Sequence, residues 1–445
     1  MTPDARSAIP RRGEVLTIAF GTAVGMWAVG YVSRIPALAV PSRAVLVLMV
    51  ICLLGGGFVA GRSTGRGWRG GVQVGLLVSL LNLMILGSLL GGQEPNRLVP
   101  SALWWIPGSF VVGAVLGAAG ALAGTRLRRE ASPEANWTGR FALVLAAATL
   151  LLIVAGGLVT GHEAGLAVVD WPNSYGYNMF LYPLSRMTGG VYYEHAHRLV
   201  GALVGLTTLI FATHLQRTED RRWLRRFAWL AFAMVVIQGL LGGLRVTGRF
   251  TLSTSAEETV PNLGLAVVHG TLAQVFFAMV TAMVVFTSPA WRRMPAPVLV
   301  PSAGTERFLN GALVVLLIGQ IVLGAVVRHL SGALLVHIAA AVLVGGLALN
   351  AGVRAWGLYT GQPLLQRLGK ALLVLVCGQV ALGVAAYIVT GMTAGVQPRP
   401  WADVLITGAH QVTGALLLAL VVALALWTWR LLAPQPSPHL EPSAG

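Results

Sequence analysis

Four histidines, His197, His269, His337 and His410, recur at repeating intervals: the first two lie 72 residues apart and the last two 73. Neutral imidazole is a strong ligand for transition metals. Two imidazoles on facing helices of a bundle can hold the iron of one flat metallocycle from opposite sides, as in bis-histidine haem proteins. Two pairs therefore imply two haem-sized sites. The competing readings are a histidine hydrogen-bonded in a helix interface and a proton relay. A relay would need acidic partners at the same depth, and only Glu194 qualifies.

Glu194 stands three residues before His197, so on a helix both side chains project from one face. The bland explanation is a glutamate favoured by the dipole near a helix N-terminus. The functional one is an acid, base or charge stabiliser beside a bound haem. Arg198 is its candidate partner, at a spacing that joins the two only loosely. His195 follows Glu194 and points to another face, which predicts a surface or supporting role. His162 and His329 fall at outer loop edges and His214 near the inner surface, and exposure is the expectation for these three.

The elements that must position these groups are apolar helices. The chain has 445 residues, is 56% hydrophobic and carries only 10% charged residues, with a mean hydropathy of +0.75. Long apolar runs broken by short arginine-rich loops predict about twelve spans of the ~20 residues that cross a bilayer core. Four fall near 16–32, 43–60, 72–90 and 103–122, and eight near 141–160, 193–214, 227–244, 262–286, 308–327, 334–353, 372–390 and 404–429. The fold class is thus an all-α polytopic membrane protein.

An internal repeat organises the last eight spans. A shift of 141 carries Gln238 onto Gln379, Gly242 onto Gly383 and His269 onto His410, and a shift of 140 carries His197 onto His337. Such periodicity signals a duplicated unit with sites in corresponding places. It predicts two pseudo-symmetric four-helix bundles, with one histidine on each even-numbered helix. A phrase Gln-x-x-Leu-Gly ends odd helices at Gln238, Gln320 and Gln379, and its slot in the first of the eight spans runs from Leu152 to Gly156 without the glutamine. The expected units are 1–130, a four-helix extension; 131–290, the first bundle; 291–435, the second; and 436–445, a polar tail. The extension carries no histidine in its spans, and its glycines, among them Gly57, Gly113, Gly117 and Gly120, suit close helix packing.

The net charge of +16 would suit a nucleic-acid surface, but the arginines sit in every second loop, as at Arg62, Arg66 and Arg69 or Arg292 and Arg293. That is the positive-inside pattern, which places both termini in the cytoplasm and argues against nucleic acid. The two cysteines, Cys52 and Cys377, fall inside spans, so no disulfide framework or CxxC metal site is available. The polar first twelve residues lack a cleavage site, and no cleaved signal peptide is expected.

The stretch from Met187 to Arg198, Met-Thr-Gly-Gly-Val-Tyr-Tyr-Glu-His-Ala-His-Arg, holds a Glu-x-x-His-Arg motif, and the preceding loop reads Gly165-Leu166-Ala167-Val168-Val169-Asp170-Trp171-Pro172. Over about residues 140–430 the chain resembles the haem A synthases, assembly proteins of cytochrome oxidase. The resemblance implies an enzyme that oxidises the C8 methyl of haem O to a formyl group, giving haem A. It implies that His197 and His269 receive the substrate haem, that His337 and His410 ligate a haem b cofactor, and that Glu194 is the catalytic carboxylate. Arg198, Arg245 and Arg328 become candidates for haem propionates or for support behind the ligands. The implied setting is a bacterial inner membrane, with lipid, haem O synthase and the oxidase assembly machinery as partners and oligomerisation left open. Two features depart from relatives: there is no cysteine pair in an outer loop, and Gly161-His162-Glu163-Ala164 adds two ionisable groups near the substrate mouth. A non-catalytic di-haem electron carrier would use the same four histidines without needing Glu194 or the Asp-Trp-Pro loop. A transporter or haem chaperone would instead predict a broken helix at the membrane midplane.

Overall fold

A computed structural model describes residues 10–38, 40–127, 136–247, 262–293 and 296–435. In hydrocarbon each backbone N–H and C=O must be satisfied within the segment, and these apolar runs accordingly form helices. In chain order they are α1 (Pro10–Ser33), α2 (Ser42–Ser63), α3 (Trp68–Leu90), α4 (Ala102–Arg126), α5 (Trp137–Gly161), α6 (Gly189–Thr218), α7 (Arg222–Thr247), α8 (Leu263–Thr287), the short α9 (Pro289–Arg293), α10 (Ala303–Leu330), α11 (Leu334–Gly357), α12 (Pro363–Met392) and α13 (Trp401–Leu431). Among the described residues, twelve of them are long and apolar enough to cross a membrane. The protein is an all-α polytopic membrane protein.

Every predicted span coincides with one of these helices, the one at 262–286 beginning on the cap residue Asn262 just before α8, and several helices run further. Helix α12 starts at Pro363 and α6 at Gly189, before the apolar windows at 372 and 193. Hydropathy registers only the ~20 residues inside the bilayer core, while helical hydrogen bonding continues into the interface. Side chains set several ends. Asn136 accepts from Gly139 N at the start of α5 and donates to Thr287 O at 2.7 Å, tying that start to the end of α8. Asn262 caps α8 through Leu265 N. Two short strands, β1 (Val298–Val300) and β2 (Leu432–Pro434), run parallel with Val298 opposite Leu432. The proposed boundary at residue 130 and the tail 436–445 lie outside the described residues.

Helices α5, α6, α7 and α8 pack in a closed ring, each against the next, and so do α10, α11, α12 and α13. The rings meet where α13 lies against α5 and α8, and α10 against α8. Ile153, Phe277, Ala415 and Ala419 form a small core at that seam. In the extension, α2, α3 and α4 approach backbone to backbone. A Cβ added at Gly75 would overlap the Gly113 carbonyl, and one at Gly57 or Gly71 the Gly117 carbonyl. Membrane helices associate by such packing because lipid supplies little hydrophobic drive between them. Helix α1 joins this unit to the first ring: Phe20 and Trp27 of α1 and Leu81 of α3 share one core with Phe141, Leu203 and Phe211.

At the end opposite the four histidines, buried acids are paired. Glu219 binds Arg221 at 2.9 Å and Arg292 at 2.6 Å, and Glu306 binds Arg354 at 2.5 Å.

Overpacking a close helix crossing costs about 1–3 kcal/mol. Gly75→Leu is therefore expected to lower the unfolding free energy in detergent by about 1–3 kcal/mol, read as a lower unfolding midpoint. An unchanged midpoint would show that α3 and α4 do not approach as closely as described.

Candidate functional site

The histidines form two facing pairs. The ring centroids of His197 and His269 are 6.5 Å apart with planes at 81°, and those of His337 and His410 are 6.5 Å apart at 85°. Each sits near the start of its helix, on α6, α8, α11 and α13. Each ring rests on a glycine of the preceding helix. A Cβ added at Gly156 would lie 3.1 Å from His197 Cε1, and the equivalent distances are 3.3 Å for Gly242 and His269, 3.2 Å for Gly324 and His337, and 3.0 Å for Gly383 and His410. A larger side chain would displace the ring.

The glutamine of the repeated phrase holds the backbone behind the ring. Gln238 Nε2 donates to the His269 carbonyl at 3.2 Å, and Gln320 Nε2 to the His337 carbonyl at 2.9 Å. The Nδ1 atoms of His197, His269 and His410 are buried without a hydrogen-bond partner. Ligating histidines commonly direct their second nitrogen at a backbone carbonyl, which fixes the tautomer and leaves Nε2 for the metal.

Whether this fits haem can be tested on the spacing. Metal–imidazole bonds of about 2 Å on both sides of one ion, plus about 1 Å from nitrogen to ring centre, place centroids roughly 6 Å apart. The observed 6.5 Å agrees in both pairs. Among the described residues no group of three or more His, Cys, Asp or Glu could hold a bare ion. A pair of imidazoles leaves the remaining coordination positions to the ligand, which a porphyrin supplies. The donor set fits haem.

Glu194 is buried, one turn before His197. Its carboxylate accepts from Arg198 at 2.7 Å and from the backbone N–H of Val168 at 2.9 Å. The link to Arg198 is thus direct, where spacing alone had suggested a loose one. The loop 162–188 supplies the geometry that spacing lacks: Arg198 also donates to the carbonyls of Val168, Asp170 and Asn173 at 2.9, 2.7 and 2.9 Å. A guanidinium with five donors can join a carboxylate and three carbonyls in this way. With these partners Arg198 supports the loop behind the site.

Asp170, fully buried, accepts from Tyr175 N and Gly176 N at 2.7 and 2.8 Å and so closes the loop on itself. The loop lies over α7: Trp171 packs on Gly243, and the Arg245 guanidinium lies against Gly165. Only a residue without a side chain leaves that room. Arg245 is thereby placed close to Glu194, His269 and His329. Arg328 lies at the seam between the rings, donating to Thr160 O at 2.5 Å.

His162 and His214 are less exposed than expected, and His195 takes the supporting one of its two expected roles. His195 is fully buried, its Nδ1 sharing a hydrogen bond with Ser174 Oγ at 2.9 Å and its ring 4.9 Å from Tyr182. His214 is tucked beside Thr138 Oγ1 at 3.0 Å and against Phe141. His162 stacks on Tyr193 with centroids 4.1 Å apart and meets the edge of Trp401 at 4.7 Å, bridging the two rings of helices. In each case the partner is distant in sequence and no local pattern marks it. Next to His162, Glu163 binds Arg399 at 2.6 Å, and Arg399 also reaches Asp403 at 3.1 Å.

Comparison with known proteins agrees with this layout for part of the chain. Residues 139–340 match the model of a family described as cytochrome oxidase assembly protein. The match spans α5 to the beginning of α11, and so takes in His197, His269, His337 and Glu194 but not His410. No curated protein and no solved structure matches the chain.

The Arg399 hydrogen bond holds the Glu163 carboxyl below its ordinary value of 4.5, against the opposing effect of partial burial. A lowered carboxyl value means the bridge contributes above 4.5 and is lost as pH falls through the lowered value. The separation of spin labels at positions 166 and 396 is therefore expected to hold steady from about pH 7 to about pH 5 and broaden only in stronger acid. Broadening already near neutrality would contradict the bridge.

Proposed function

We propose that the chain, whose residues 139–340 match the cytochrome oxidase assembly protein family, is a haem A synthase oxidising the C8 methyl of haem O to a formyl group. The observation that carries this reading is the buried Glu194, one turn from His197 on the same helix and held by Arg198 and Val168 N–H beside a second facing histidine. A carboxylate at that depth is costly unless it is used or paired. Here it is paired on one side and adjoins a ligand pair on the other.

His197 and His269 receive the substrate haem and His337 and His410 hold haem b, in two pseudo-symmetric bundles. Bound there, haem b supplies an electron acceptor for the oxidation of an otherwise inert methyl group. The protein contributes position and electrostatics. Glu194 stabilises positive charge or accepts a proton beside the reacting edge. Arg198 holds Glu194 and the loop together, and the loop 162–188 excludes water from the mouth. Arg245, admitted against the loop backbone by Gly165, is the residue placed to meet a propionate, with Arg328 the corresponding candidate nearer the second pair. This reading sets both termini in the cytoplasm and the chain in a bacterial inner membrane, and the arginine-rich loops support the orientation. Haem O synthase and the oxidase under assembly are the partners this reading implies.

In cells that make haem O but lack their own haem A synthase, the chain is expected to yield extractable haem A. Glu194→Ala should reduce that yield by about a hundredfold or more while leaving the haem b content unchanged. Bound b-type haem without haem A, despite available haem O, would instead identify a di-haem electron carrier.

A further inference from the structure

The extension α1–α4 lies outside the region of family resemblance, yet it grips the loop that holds Glu194. We propose that this unit is a built-in collar that positions the loop 162–188, with Asn96 and Tyr177 as positioning residues for the reaction; the functional part of this inference rests on the haem A synthase reading.

The turn between α3 and α4 is shaped for the purpose. Gly92 N donates to Arg97 O at 2.6 Å and Val99 N to Leu90 O at 2.9 Å, closing a tight loop whose Asn96 takes a left-handed φ of 63°. Asparagine tolerates that conformation better than most residues. Its side-chain Oδ1 accepts from the backbone N–H of Asn178 at 2.7 Å. The Gln93 carbonyl accepts from the buried Tyr177 hydroxyl at 2.6 Å, and Arg186 donates to the same carbonyl at 3.3 Å and to the Gln93 side chain at 3.2 Å. Below this turn, Gly87 and Gly91 of α3 let the backbone of Phe180 and Leu181 come close enough that a Cβ at either glycine would overlap it. On the other side of the loop, Tyr192 donates to the Tyr31 carbonyl of α1 and stacks on the Tyr31 ring at 5.8 Å.

From these contacts the bonds continue to the site. Tyr177 pairs through its backbone with Ser174, and Ser174 Oγ bonds His195, which is two residues from His197. Tyr175 and Gly176, next to Tyr177, donate to Asp170, whose carbonyl is held by Arg198, the partner of Glu194. The loop is thus fastened at one end by the extension and at the other by Glu194 and Arg198. Loosening the extension's grip should release Val168 N–H from Glu194 and change the shape of the mouth without touching either histidine pair.

The test uses the full-length chain purified with its haem. Asn96→Gly combined with Tyr177→Phe removes the side-chain acceptor and the hydroxyl donor, while Asn96→Asp keeps an acceptor oxygen in the same backbone conformation. In the double variant, hydrogen exchange of amides in 165–180 is expected to rise about tenfold, with helix peptides unchanged. The haem b absorption spectrum should be retained and haem A formation should fall about fivefold or more. Asn96→Asp alone should leave both exchange and product at wild-type levels. Unchanged exchange overturns the collar. Raised exchange with undiminished haem A overturns its role in positioning, and loss of haem b in step with haem A makes the unit a mere stabiliser. A wild-type chain that forms no haem A would sink the enzymatic reading and with it the positioning role, while the exchange measurement would still decide the grip itself.

Discussion

The 6.5 Å gap between facing imidazoles, present twice, sets conditions on everything around it. Four helices must bring two rings to one depth and hold them apart against the tendency of a bundle core to fill its space. The odd-numbered helices of the eight do so with glycine. Gly156, Gly242, Gly324 and Gly383 each let a ring lie on backbone, and in two of the four helices the glutamine four residues earlier, Gln238 or Gln320, donates to the histidine's own carbonyl. Each ring is thereby fixed in position and orientation before any ligand arrives, which reduces the cost of binding one.

The two pairs share this frame but differ in their surroundings. Among the described residues, only the first has a buried carboxylate at one turn's distance, with the loop 162–188 folded against it. A carboxylate in a low-dielectric setting is stabilised strongly by an adjacent guanidinium and by a backbone N–H, and is costly without them. Arg198 and Val168 provide both, so the position of Glu194 depends on the fold of the loop 162–188. On the proposed reading, that asymmetry separates a pair that meets a substrate from a pair that keeps a cofactor.

Much of this was legible from residue types and spacing. The twelve spans follow from apolar run length, because the bilayer thickness imposes a minimum that random sequence seldom meets. The four histidines stand out because imidazole in the membrane is uncommon and these four recur at 72 and 73 residues. The repeated Gln-x-x-Leu-Gly phrase marked the supporting glycines without revealing that a ring lies on each. Contacts between distant segments were invisible. Nothing local to His195 points to Ser174, nothing near His162 points to Trp401, and Asn96 carries no sign of Asn178. These depend on how helices from separate units meet at one end of the bundle, which periodicity does not encode.

The central claim is that His197 pairs with His269 and His337 with His410, each pair holding one haem. Low-temperature electron paramagnetic resonance of the oxidised, haem-loaded protein tests it most directly, because low-spin bis-histidine iron gives a distinct signal for each site. The account predicts two such signals, one removed by His197→Ala or by His269→Ala and the other by His337→Ala or by His410→Ala. A single signal, or one abolished by a residue from each pair, would contradict it.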